Sequence, residues 1–495
     1  NSQFNRDANG NQLLNSSDEI EEVMRNPTIW RSVIEEDEGD PPLVLAFGGD
    51  PQAYLPLVLN FTRENQGNFL PKSARLLATF EEIEKTLTEL SVEGFGNKTF
   101  SLLLTDVTNS NDTKLKRFWG KTNNTNYFYV GFSLSSYGII SNQTVLEQNN
   151  ARTPSSWEQL ADKQYLDLLE LPILESTNRM AQRIFETVLQ VNKWEKGWTI
   201  ITQTYANANE SRLEHSNYYI VKDLYKGLAG VGWTKDPPML FNTSLQLNRP
   251  SLNETFIDHQ PCAVLSNALQ NNFSLEFCAR FLAFLLSIED YEHNPGGQTI
   301  NLISGNSPVN PKTMSIVKNT PELIQNLVTL INSTPQEVVE QRIDQIPNLA
   351  ELILNTNISD LFVLDEISAY QRAPVIQLLF DTMILDSFSD LKNAWLTMLE
   401  KENETKFDID QIGKIPINQT EAIEIGLTLL VSDTYDLWES YYNEWKSFAK
   451  NKYETVKEGE PFTGTKKKRI VSAFNWEFCM LLLILLPKKL HYKRK

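Results

Sequence analysis

The chain has 495 residues, 41% hydrophobic and 22% charged, with 21 Gly and 22 Pro. It is long enough for two or three cores, and its composition is neither disordered nor collagen-like. Net charge is −18, but the last thirty residues hold nine bases and one acid (Glu477), so residues 1–465 carry −26. An acidic body repels nucleic acid and anionic lipid over its surface, so nucleic acid is not an expected partner.

Residues 1–42 form an acidic leader, with Glu35-Glu36-Asp37-Glu38 followed by Gly39-Asp40-Pro41-Pro42. The apolar run Leu43–Phe47 predicts a strand buried on both faces, ended by Gly48-Gly49. Asp50 is placed as N-cap and Pro51 at the first helical position of a helix running toward Thr62. An amphipathic helix over Phe80–Leu90 and strands over Phe100–Thr105 and Tyr127–Phe132 follow, the last running into Ser133–Ile140. Beyond the Thr153–Trp157 turn come the run Leu168–Leu174, a helix from Met180 to Val191 and strand-like stretches at Leu228–Trp233 and Ala263–Leu265. Ser274 then caps an apolar helix, Leu275–Ser287. Strands alternating with helices predict an α/β class with a mainly parallel sheet. Residues 310–460 read as almost wholly helical: Thr320-Pro321 and Thr334-Pro335 are helix starts, the second with Glu337 as capping-box partner. The aromatic stripe in Leu437–Trp445 suits packing rather than a ligand box.

Cys262, Cys278 and Cys479 form no CxxC pair; free buried thiols are favoured at 262 and 278 over a disulfide between them. His215, His259, His293 and His491 are scattered, so no metal cluster is legible. GxSxG, GxxxxGK[ST], HExxH and GxGxxG are all absent. Neither an enzyme nor a cofactor is expected. The glycosylation pattern occurs at Asn15, Asn60, Asn97, Asn111, Asn123, Asn142, Asn209, Asn242, Asn253, Asn272, Asn332, Asn357, Asn403 and Asn418. Chance gives roughly six matches, and the excess predicts a glycosylated outer surface, archaeal or eukaryotic rather than bacterial periplasmic. The chain starts at Asn1 with no signal-type run, which leaves a removed signal peptide and a fragment both open. In the tail 466–495, Lys466–Arg469 and Pro487-Lys488-Lys489 flank a short apolar stretch, Ile470–Leu486, that contains Asn475 and Glu477. It is read as a marginal membrane anchor, with an interfacial or buried helix as the alternative.

Small polar residues stand where strands give way to helices, at Gly48-Gly49-Asp50, Ser133–Tyr137 and Glu175-Ser176-Thr177, the places where open α/β sheets bind ligands. Ser135–Asn142, Pro154–Asp162, Leu171–Thr177 and Trp194–Trp198, then Asp223–Gly227, Gly230–Trp233 and Glu276–Ser287, follow one another in a telling order. In that order they resemble the landmarks of extracellular solute-binding proteins of ABC importers. The nearest group includes ferric-iron, polyamine and phosphorylated-sugar binders. The resemblance covers about residues 43–310, and Phe380–Trp395 looks like the family's closing helix.

The resemblance implies a two-lobed periplasmic-binding-protein-like fold of type II, with an enlarged helical C-terminal part and the short apolar segment. Lobe 1 is 43–135 plus 263–310, lobe 2 is 136–262, and 311–460 is a helical part packing on lobe 1. A small solute would be held between the lobes and delivered to ABC permease subunits, outside the cell membrane and tethered by the tail. Carried over by position, the ligand-binding residues are Gly49 and Asp50 on the first lobe, Ser135, Ser136 and Tyr137 at the crossover, Ser176 and Thr177 capping a second-lobe helix, and Trp233 and Asp236 at the next strand end. Ser and Thr donors suit carboxylate or phosphate, whereas Asp236 with Trp233 suits a cation or a hydroxylated group. Ferric-binding members carry adjacent tyrosines after the landmark at Asp223–Gly227; here Tyr218-Tyr219 precede it, so iron is not expected. The alternative is a surface structural or sensory protein on the same fold, without transport.

Overall fold

A computed structural model describes residues 120–121, 127–175, 179–215, 217–235, 245–264, 281–289, 293–303, 306–331, 336–401, 409–431 and 435–462, with Ile83 and Cys278. Outside them lie the expected strands Leu43–Phe47 and Phe100–Thr105, the start of the Ser274-capped helix, the tail, and all of Phe80–Leu90 but Ile83, which is helical and buried. In chain order, β1 is Gly120–Lys121, β2 Tyr127–Asn142, α1 Gln143–Gln148, β3 Leu169–Pro172, α2 Arg179–Asn192, α3 Trp194–Asn207 and β4 Ala208–Glu214. Then come α4 Asn217–Tyr225, β5 Val231–Lys235, β6 Leu245–Asn248, β7 Ile257–Ala263, α5 Gly297–Ile303 and β8 Ser307–Pro308. The helical region follows as α6 Thr313–Lys318, α7 Pro321–Ile331, α8 Gln336–Gln345, α9 Leu349–Asn355, α10 Glu366–Phe380, α11 Phe388–Glu400, α12 Gln419–Val431 and α13 Tyr435–Lys457.

The 16-residue β2 organises the sheet. Its first part pairs antiparallel with β1, β7 and β8, with Ser135 opposite Asp258 and Ser136 opposite Ile257. From Tyr137 to Asn142 it pairs instead with β5 and β6, again antiparallel, with Tyr137 opposite Lys235. Asn142 ends it: its extended backbone lets the side chain accept from Val145 N at 3.2 Å and cap α1. Only β3 with β4 and β3 with β5 are parallel among the described pairs, so the sheet is mixed rather than mainly parallel. The difference arises because β2 runs against every neighbour it has.

Alternation along β3 and β5 sends Leu169, Leu171, Val231 and Trp233 to the face covered by α2 and α3. Ile220 and Leu224 of α4 cover the other face with Ile140, Ala229 and Leu245. A Cβ on Gly232 would lie 2.5 Å from Ile220 Cγ2, so the glycine sets how closely α4 approaches.

The helices after residue 310 divide into two sets. Met314, Val317, Leu323, Leu327, Val339 and Ile343 make their own core with Leu302. Leu349 N donates to Ser307 Oγ at 3.0 Å, which ties this set to β8. From Leu364 to Phe462 the helices instead share one core with residues 137–256. Trp194 Nε1 donates to Ile417 O at 3.1 Å, and Trp395 Nε1 to the buried Asn207 Oδ1 at 2.7 Å. This corrects the expectation that 311–460 packs as a whole on lobe 1: among the described residues its second half belongs to the 137–256 body. The apolar faces of α2 and α3 provide the reason, because they are wide enough to bury both the sheet and α10, α11 and α13. Nor is Phe380–Trp395 one regular helix, since the π-helical stretch Asp381–Leu385 joins α10 to α11.

Candidate functional site

The residues that carry chemistry gather where β2 changes partners. Ser133, Ser135 and Tyr137 alternate onto one face of β2, and Asp258 and Phe256 stand across from Ser135 and Tyr137 on that face. Tyr137 and Phe256 stack with ring centroids 6.0 Å apart and planes 18° apart. The Tyr137 hydroxyl donates to Asp258 Oδ2 at 3.5 Å, and Thr255 Oγ1 donates to Tyr137 O at 2.7 Å. From α2, the Arg183 guanidinium lies 5.4 Å over the Phe256 ring.

All of these groups are buried. The Ser133 and Ser135 hydroxyls, 0% and 1% exposed by residue, have no hydrogen-bond partner among the described residues. Each such hydroxyl costs about 1–3 kcal/mol of desolvation, a cost a polar ligand can offset by bonding to it. Hydroxyls, a carboxylate, a guanidinium and a stacked ring pair together suit a small polar or charged molecule.

A second polar group lies past the end of β3. His215 Nδ1 is 2.6 Å from Glu175 Oε1, and Gln182 Nε2 donates to Glu175 O at 2.9 Å. Gln377 Nε2 donates to Leu174 O at 2.7 Å and to Asp381 Oδ1 at 2.9 Å. Burial, with the charges of Asp386 and Glu175, pushes the Asp381 carboxyl up to about 6 against the Gln377 bond.

Of the expected site residues, the structure brings Ser135, Ser136 and Tyr137 to the partner change, although Ser136 faces away from Ser135 and Tyr137. Trp233 is corrected to a core residue. It is 1% exposed and packs edge-on against Trp157, Phe185 and Tyr205, because β5 directs it under α2 and α3 and not outward from the strand end. Gly49, Asp50, Ser176, Thr177 and Asp236 lie outside the described residues.

Sequence reasoning missed Arg183, Phe256 and Asp258, and it treated His215 only as one of four scattered histidines. Phe256 and Asp258 were findable only through the pairing of β7, whose Ile257–Ala263 stretch contains polar residues and Pro261 and has no strand-like pattern. Of the sequons, Asn209, Asn253, Asn357 and Asn418 are exposed. Asn142 is buried, and its Nδ2, the atom that would carry a glycan, donates to Leu224 O at 2.8 Å. Its cap and strand-end role exclude it from the surface. The sequons at Asn15, Asn60, Asn97, Asn111, Asn123, Asn242, Asn272, Asn332 and Asn403 lie outside the described residues. Cys262 and Cys278 are both buried and are not joined in a disulfide. No described helix is long and apolar enough to cross a membrane.

No protein-family model matches the chain. Over 328 residues it is 23% identical to the phosphoglycerate transport regulatory protein PgtC of Salmonella typhimurium, which covers 64% of this chain and 70% of that one. Among solved structures it is similar to the spermidine/putrescine ABC transporter substrate-binding protein PotD of Streptococcus pneumoniae, 12% identical, with a TM-score of 0.40, covering 74% of this chain and 90% of that one. It is also similar to iron-bound HitA of Pseudomonas aeruginosa, 14% identical, with a TM-score of 0.34, covering 57% of this chain and 74% of that one.

Proposed function

We propose that the chain is an extracellular solute-binding receptor of an ABC importer, closing two α/β lobes on a small polar or charged solute and presenting it to a permease. The observation that carries this reading is the partner change in β2, where one continuous strand leaves β7 and β8 for β5 and β6. At that point stand two buried serine hydroxyls with no partner among the described residues, beside Tyr137 and Asp258. Residues 43–135 with 263–310 make lobe 1 on this reading, and 136–262 with 366–462 make lobe 2. β2 and β7 cross between the lobes, so hinge motion concentrates at Ser135–Tyr137 and Phe256–Asp258. Ser135, Tyr137, Asp258 and Arg183 contact the solute, with Gly49, Asp50, Ser176, Thr177 and Asp236 completing the site. Tail 466–495 tethers the receptor, and the exposed sequons carry glycans.

Thermal-shift measurements on the purified chain test this against phosphoglycerates, sugar phosphates, polyamines, organic acids and ferric citrate. At a hundredfold excess over its dissociation constant a true solute stabilises by about 2.7 kcal/mol. In Ser135→Ala the shift shrinks, while the solute-free protein keeps or gains stability because a desolvated hydroxyl is gone. No stabilisation by any of the five classes, together with a less stable solute-free Ser135→Ala, refutes the assignment.

A further inference from the structure

A second site lies on the opposite face of the β3–β4–β5 sheet, beneath α4. Glu170 of β3 and Glu214 of β4 share that face, because Glu214 stands beside Pro172, two residues along from Glu170. α4 packs over them and supplies Asp223. One carboxylate oxygen from each of the three lies within 4.8 Å of the other two. Glu214 and Asp223 are half-buried and give the cluster a route to solvent.

Three neighbouring acids are ordinary on a protein surface; Glu170 is what sets this cluster apart. It is 0% exposed, and neither of its oxygens has a hydrogen-bond partner among the described residues. A buried carboxylate is retained where something charged satisfies it. The local bases do not balance the cluster. Lys226 Nζ lies 3.7 Å from Asp223 Oδ1, and Arg212 spends an Nη1 bond on Asp167 O at 2.6 Å.

We propose that Glu170, Glu214 and Asp223 bind a calcium-class divalent cation that pins α4 to the sheet. Three oxygens all within 4.8 Å of one another lie no more than about 2.8 Å from a shared ion, close to the Ca2+–oxygen range of about 2.3–2.6 Å, and a set of three protein carboxylates suits Ca2+ better than Mg2+, which keeps several waters and takes one or two carboxylates. Carboxylates bound through one or both oxygens, with waters on the open side, complete six to eight ligands. The site lies on the face of the sheet opposite α2 and α3 and is independent of the solute reading.

The test uses the full chain stripped with EDTA and free of solute. It is titrated with CaCl2 and separately with MgCl2 by calorimetry and thermal shift, beside Glu170→Gln, Glu214→Gln and Asp223→Asn. The expected result is a Ca2+-dependent rise in Tm larger than any Mg2+ effect, lost in Glu170→Gln and weakened at least tenfold in midpoint in the other two. No Ca2+ effect up to millimolar concentration, an effect of Mg2+ alone, or an undiminished Ca2+ shift in Glu170→Gln overturns the proposal. If Glu170→Gln does not fold, the half-buried Glu214→Gln decides in its place, an undiminished shift again being fatal.

Discussion

The ion pair between α2 and α10 tests whether the C-terminal helices are part of the central body or an addition to it. Glu186 Oε1 and Oε2 accept from Arg372 Nε at 3.0 Å and Nη2 at 2.5 Å, a two-pronged pair in which both partners are buried. The guanidinium also lies 5.6 Å from the Trp194 ring. Arg372→Met keeps most of the side chain's length and removes its charge, so Glu186 is left buried with the bond from Gln190 Nε2 at 3.1 Å. Removing one partner of a buried pair costs about 3–5 kcal/mol. A double variant, Glu186→Leu with Arg372→Met, removes both charges and recovers most of that loss, because two well-packed apolar groups match a buried pair to within a few kcal/mol. Urea unfolding followed by tryptophan fluorescence reads the effect, as Trp194, Trp198, Trp233 and Trp395 report on the shared core. A loss below about 1 kcal/mol in Arg372→Met would show that the pair does not join the two regions. Separate transitions for the central body and the helices, with only the second shifted, would refute the shared core itself.

Three further outcomes follow from the same packing. Asn207 donates to Leu160 O at 3.0 Å and Asp162 O at 2.9 Å and accepts from Trp395 Nε1 at 2.7 Å, so Asn207→Ala strands three buried groups. A loss of about 3 kcal/mol by denaturant titration is expected, and Asn207→Asp does no better because a carboxylate cannot donate. In α12, a Cβ on Gly426 would lie 1.9 Å from Gln371 O of α10. Gly426→Ala therefore drives the two helices apart and lowers stability by about 1–3 kcal/mol, read as a drop in Tm. The folded-state pKa of Asp381, about 6, lies above the ordinary 3.8, so the folded protein binds the extra proton. This contribution is complete below pH 4, is lost as pH rises through 6, and is flat beyond. It amounts to at most about 3 kcal/mol, reduced because the group is partly exposed. Asp381→Asn should flatten the fall in stability between pH 4 and 6 and raise stability at pH 7.

Local signals gave the elements that local chemistry decides. The helix expected over Met180–Val191 is Arg179–Asn192, the Thr320-Pro321 start opens α7 at Pro321, and the stretch Leu228–Trp233 becomes β5. The break in pattern at Ser135–Tyr137, where small polar residues interrupt an otherwise apolar strand, falls where β2 changes partners. What stayed hidden depends on pairing across long distances. Ser135 meets Asp258 only through a register set 123 residues away along the chain, and β7 carries no alternation that announces it. Trp233 was misplaced because a strand end fixes where a residue stands, whereas its face decides what it touches. The helical part was misassigned for a related reason: periodicity shows that a helix has an apolar face and is silent on which surface that face meets.

Because β2 is one uninterrupted strand, the two groups of strands it serves cannot move independently without bending it or its neighbour β7. The proposed hinge must then act through the few residues at the partner change, where the Ser133 and Ser135 hydroxyls have no partner among the described residues. Thr255 Oγ1 bonds to Tyr137 O, and the Tyr137 hydroxyl reaches Asp258 only at 3.5 Å. Buried hydroxyls left without a partner gain from a bound molecule that supplies the missing bonds. On the proposed reading, binding and closure therefore draw on the same groups, and the desolvation cost carried by the free serines favours the solute-bound state.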